Sequence, residues 1–213
     1  METRRDLLLA RALLGSPEQA ICTSGAARDR NQFPDIMVTD QDGTRWRFYE
    51  DLIRGRVVAI NFMAIDREAD FPITSRMAAI ATRLGGRLGS SVFLYSLTAD
   101  PDADTPERLK DFAARFGAPP GWRFLTTSTG DAGKLATRLY RHGRTPSAGS
   151  MIDLVHYGNA EAGLWAAFPA TIQADDAASR IGWVLPRAMP DGPPRHAGPR
   201  RLGSPGDSAN NRI

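Results

Sequence analysis

Apolar residues fall in short blocks whose spacing switches between two periods along the chain. Val57 to Ile65 is a near-continuous apolar run rich in β-branched residues, as expected of a central strand buried on both faces. Ser91 to Leu97 is a second such run, and Ile36-Met37-Val38 and Trp46-Arg47-Phe48 flank Asp42-Gly43, a hairpin turn signal. Between the strands the spacing becomes helical. Pro72 opens a helix at a position where its missing N–H costs nothing, and Gly85-Gly86 ends it after Leu84. Thr105-Pro106-Glu107 supplies an N-cap, a first-turn proline and a first-turn acid for a second helix. That helix buries Leu109, Phe112, Ala113 and Phe116 and stops at Gly117. A strand near Arg123 to Thr127 precedes a helix with Asp131 near its start that runs to about Arg141. Met151 to Tyr157 alternates as a strand, with Gly158-Asn159 turning out of it, and a last helix over 174–184 presents Ala178, Ile181 and Leu185 on one side. Strands alternating with helices after an opening hairpin predict an α/β fold, a sheet flanked by helices.

The two ends read differently from this middle. Residues 1–30 form an N-terminal arm in which Thr3-Arg4-Arg5-Asp6-Leu7-Leu8-Leu9 resembles the start of a twin-arginine export signal. Its apolar run is short and broken by Arg11, and an amphipathic helix accounts for the same leucines equally well. From Pro186 onward Pro, Gly, Arg and Ser dominate without apolar period, which predicts a disordered tail over 187–213 and leaves 31–186 as the folded domain. No stretch approaches the roughly 20 apolar residues of a membrane span.

Composition narrows the chemistry. The 213 residues carry a net charge of +3, and the basic side chains are almost all arginine, scattered rather than gathered. Scattered charge is a solvated surface, and nucleic-acid binding is not expected. Cys22 is the single cysteine, so an internal disulfide and Cys-x-x-Cys chemistry are excluded. We read it as an incidental thiol, because the sequence places no base or helix terminus beside it.

The stretch around the central strand resembles the SCO/SenC family of copper-handling proteins associated with cytochrome c oxidase assembly. That family typically reads Asn-Phe-Met, then Cys-x-x-x-Cys-Pro, then a helix beginning with Thr or Ser. This chain reads Asn61-Phe62-Met63, then Arg67-x-x-x-Phe71-Pro72, then Thr74-Ser75. Phe33-Pro34-Asp35, Asp40-Gln41-Asp42-Gly43 and Phe48-Tyr49-Glu50-Asp51-Leu52 look like its opening hairpin. Tyr95-Ser96-Leu97-Thr98, Asp100-Pro101, Asp104-Thr105-Pro106-Glu107, Phe116-Gly117, Pro120-Gly121-Trp122 and Gly158-Asn159 continue the match over about 33–186. The resemblance implies a thioredoxin-like fold with a central mixed sheet and an N-terminal β-hairpin. It also implies a place in copper handling, a protein partner in the respiratory oxidase or copper machinery, and the periplasmic side of the cell envelope.

The ligand positions are what depart. Arg67 and Phe71 stand where the family has its two cysteines, and Met151 falls at its histidine. A guanidinium has no lone pair to give, a phenyl ring has no donor atom, and a lone thioether is a weak ligand. We therefore expect no metal site, no cofactor and no enzymatic activity, the chain acting through protein contact. The alternative is a copper metallochaperone with unconventional ligands drawn from His142, Met151, Cys22 and the acidic loop. His156 is a further weak donor, but strand alternation points it away from the side of Met151. Met63 reads as core. Asp66, Glu68 and Asp70 read as a solvated loop whose acids pair with Arg67 and favour the helix N-terminus, rather than as a hard-cation or acid–base site.

Overall fold

The computed structural model describes residues 33–140 and 153–186. Among these residues seven strands form one mixed sheet: β1 (Met37–Asp40), β2 (Arg45–Arg47), β3 (Val57–Met63), β4 (Val92–Thr98), β5 (Trp122–Thr126), β6 (Leu154–Asn159) and β7 (Leu164–Pro169). Their order across the sheet is β2-β1-β5-β4-β3-β6-β7, with β3–β4 and β4–β5 parallel and the other pairs antiparallel. The helices are α1 (Ile73–Leu84), α2 (Pro106–Arg115), α3 (Thr129–Leu139) and α4 (Ala174–Trp183). This is the thioredoxin-like arrangement that the sequence resemblance implied, N-terminal hairpin included.

β3 sits centrally, and every residue from Val57 to Met63 is buried. Its alternation divides the core in two. Val57, Ala59 and Met63 pack with Ile73, Met77 and Ile80 of α1, Leu109 and Phe112 of α2, and Ala177 and Ile181 of α4. Val58, Ile60 and Phe62 pack with Leu135 and Ala136 of α3 and with Phe48, Leu52 and Ile53. Met63 is thus a core residue. The first face also holds a buried polar chain, in which Trp122 Nε1–H donates to Ser96 Oγ at 2.9 Å and Ser96 Oγ–H to Asn61 Oδ1 at 2.7 Å.

Four local expectations need correction. Phe48 does not end a strand but opens a short π-type helix, Phe48–Ile53, which buries Phe48, Leu52 and Ile53 against the sheet. Pro72 precedes the first residue of α1 instead of occupying it. Phe116 lies one residue beyond α2, at its C-terminal boundary. Gly158-Asn159 belongs to β6, and the turn comes later, around Gly163 at φ 65°, leading into a strand β7 that the sequence left unassigned. Gly158 is required by packing, since a Cβ there would lie 2.5 Å from the Trp165 ring and from Leu164 O.

Among the described residues no helix is long and apolar enough to cross a membrane.

Candidate functional site

Sequence and fold converge on the loop between β3 and α1. After Met63 the chain makes a 3-10 turn at Ile65–Arg67 and reaches α1 through Phe71-Pro72. Arg67 and Phe71 are brought together: Phe71 N–H donates to Arg67 O at 2.9 Å, and the guanidinium carbon lies 5.1 Å from the centre of the Phe71 ring. That is cation–π distance. Arg67 is exposed, and Phe71 keeps 38% of its surface accessible, a large aromatic left open beside a cation.

The acids of the loop do not pair with Arg67 as expected. Asp66 Oδ1 accepts from Arg108 Nη2 of α2 at 2.8 Å. Glu68 instead caps α1: its Oε2 accepts from Thr74 N–H at 3.1 Å and its Oε1 from Ser75 N–H at 3.0 Å. A helix end offers free amides and positive partial charge, so a carboxylate within reach settles there in preference to an exposed guanidinium. The part of the expectation that placed acids at the helix N-terminus therefore holds for Glu68. The carboxylates of Asp66 and Glu68 are thus both engaged with the scaffold.

Asp104, which in the sequence is only one residue of the SCO/SenC-like stretch before α2, is a buried anchor of the loop. It is 1% exposed, accepts from Thr98 Oγ1–H at 2.5 Å and from Ile65 N–H at 3.4 Å, and lies 3.5 Å from Arg108 Nη1. It ties β4, α2 and the start of the loop into one rigid assembly. Its sequence signal was an acid wedged between Thr98 and the capping Thr105.

A small cleft of about 170 Å³ opens between the first turn of α1 and the β6–β7 end, lined by Phe71, Ile73, Arg76, Asp153, Pro169 and Thr171 together with Ala170. None of these residues is a cysteine, methionine or histidine. Met151, His142 and Cys22 lie outside the described residues. His156 stands opposite Ile60 on β6, on the sheet face away from α1, edge-on to Tyr140 with ring centres 4.8 Å apart. Burial pushes its pKa down to about 4, and its Nε2 has no hydrogen-bond partner among the described residues. Among the described residues no group of three or more His, Cys, Asp or Glu side chains is placed to hold a metal ion. The side chains that form the loop do not fit copper, because a guanidinium, a phenyl ring and a carboxylate already committed to a helix end offer no soft donor.

A mixed sheet with helices on both faces and a loop-to-helix junction after the central strand defines a thioredoxin-like domain. Within that class the chain has the fold of the Sco proteins. ScoI from Bradyrhizobium japonicum with copper bound is 19% identical, with a TM-score of 0.56 over 72% of this chain and 99% of that one. BsSco, a member of the Sco family of cytochrome c oxidase assembly proteins, is 20% identical, with a TM-score of 0.58 over 70% and 90%. A SCO1/SenC family lipoprotein from Bacillus anthracis is 20% identical, with a TM-score of 0.56 over 71% and 94%. No protein-family model and no curated protein matches the chain.

Proposed function

We propose that this chain is a divergent Sco-type protein that serves copper handling and cytochrome c oxidase maturation by binding a protein partner, without holding copper or exchanging thiols itself. The observation that carries the reading is the pairing of Arg67 with Phe71 at the loop where the SCO/SenC motif has its cysteines. An aromatic face left open beside an arginine is the kind of pairing that recurs at interface cores, where Arg and aromatic residues are enriched. BsSco belongs to a family of cytochrome c oxidase assembly proteins, and copper is bound in the ScoI structure; both roles come to this chain through the shared fold and the motifs around the loop. The envelope location follows the same route, supported by the lipoprotein among the similar structures. The folded unit of this reading is 31–186, with the arm and tail as appendages. The chain is then no enzyme and needs no resident cofactor.

The test is a Cu(I) titration of the full chain against a chromogenic chelator. We expect the chelator to keep the metal, and the triple variant Arg67→Cys/Phe71→Cys/Met151→His to take up one equivalent. Tight one-to-one binding by the unchanged chain overturns the reading in favour of ligands such as His142 and Met151.

A further inference from the structure

Among the described residues, the two edges of the sheet are defended unequally. β2 has three residues, two of them arginines, which is how natural sheets discourage strand addition. β7 has six, Leu164-Trp165-Ala166-Ala167-Phe168-Pro169, with no charge before Pro169 closes it. Leu164, Ala166 and Ala167 are exposed, Leu164 at 53%. At the same end of the strands the Asn159 side chain donates to Val184 O at 2.9 Å, which ties the residue after α4 to the end of β6.

The ladder shows which backbone groups of β7 face outward. Ala170 N–H donates to Asp153 O at 2.8 Å, and on the other side of β6 Ala160 N–H donates to Arg56 O at 3.1 Å. Antiparallel pairs alternate between bonded and non-bonded, so both observations place the β6–β7 bonds at Val155/Phe168, Tyr157/Ala166 and Asn159/Leu164. The amides and carbonyls of Trp165 and Ala167 then point out of the sheet, away from β6.

We infer that β7 is a homodimer interface, pairing antiparallel with β7 of a second copy about a two-fold axis through Ala166. That register is self-complementary. Trp165 lies opposite Ala167 of the second copy and Ala167 opposite its Trp165, so the four outward amides and carbonyls of each strand's Trp165 and Ala167 close four hydrogen bonds. Large faces small across each of these pairs. On the other face Leu164 meets the Phe168 position of the second copy, and Ala166 meets Ala166 at the axis, where small side chains allow close approach. The neighbouring register about Ala167 would set Trp165 against Pro169, which has no N–H to return, and is disfavoured. The product is one sheet continuous across two copies, an isologous contact that closes on itself.

The experiment uses the full chain in a Cys22→Ser background. Sedimentation velocity from low to about 100 micromolar should show a concentration-dependent dimer, in a range set by edge pairing and little else. Ala166→Glu sets two carboxylates against each other at the axis and should weaken dimerisation about tenfold or more, with an unchanged unfolding midpoint at monomeric dilution. Ala166→Cys should cross-link under mild oxidation, because Ala166 faces itself in a non-hydrogen-bonded pair where the Cβ atoms approach most closely. Ala167→Cys should not, since it faces Trp165. A monomer at the highest concentration overturns the inference. So does a dimer that ignores Ala166→Glu, or one in which Ala166→Cys fails to cross-link.

Discussion

His156 carries a cost that depends on pH. In the folded domain burial holds its pKa near 4, against an ordinary value of 6.5. Above pH 6.5 it is neutral in both states and contributes nothing to the pH dependence. As pH falls from 6.5 towards 4 the unfolded chain takes up a proton that the folded domain refuses. Stability therefore drops progressively over that window, by about 3 kcal/mol at its end. Replacing His156 with leucine keeps the apolar contact with Tyr140 and removes the titration. Urea unfolding at pH 7 and pH 4.5 should show a smaller difference for His156→Leu than for the unchanged chain. Tyr95 behaves differently: its hydroxyl donates to Leu52 O at 2.9 Å, and burial raises its pKa to about 12, outside any working range. Arg67 and Phe71 stood out in the sequence only because a family motif surrounds them; nothing in their own spacing marks them as partners. Glu68 was one acid among three, because capping needs a carboxylate that folds back over a loop, and that return path is invisible in a linear reading.

The β6–β7 hairpin shows how an element can be misread for a physical reason. Gly158-Asn159 has turn chemistry, yet Gly158 is there because the Trp165 ring lies across it. Gly158→Ala must push that ring outward or bend β6. We expect a loss of about 1–3 kcal/mol, read by thermal melting, with a change in tryptophan emission as Trp165 shifts. β7 escaped notice because its exposed alanines are weak strand formers and its apolar residues occupy both faces, which blurs alternation. By contrast β3, β4, α1 and α2 were legible, since each joins a strong apolar period to end signals such as Thr105-Pro106, whose side-chain cap is made to Arg108 N–H. Phe48 opens a helix where a strand was expected: its N–H still donates to Ile36 O at 2.9 Å, but the chain then turns to bury Leu52 and Ile53 beside it and Val58.

Across the described residues, a seven-stranded sheet separates two buried clusters that share no side chain. Ile80 belongs to the α1 side and Ile53 to the other, each at most 1% exposed. Ile80→Val and Ile53→Val should each cost about 0.5–1.5 kcal/mol, and the double variant should equal their sum within about 0.5 kcal/mol. Equilibrium denaturation of the four proteins measures this; a larger coupling would mean that the sheet transmits strain between its faces. The start of the loop of Arg67 and Phe71 is pinned on the α1 and α2 side, Asp104 accepting from Ile65 N–H and Arg108 pairing with Asp66.

The seat that Glu68 occupies bears on what a thiol placed in this loop could do. In a thioredoxin-like protein the amides opening the helix after the central strand would favour an ionised thiol. Here they already hold an internal carboxylate. A single sulfur introduced at Phe71 would arrive beside a resident negative charge, which would oppose its ionisation until Glu68 also changed.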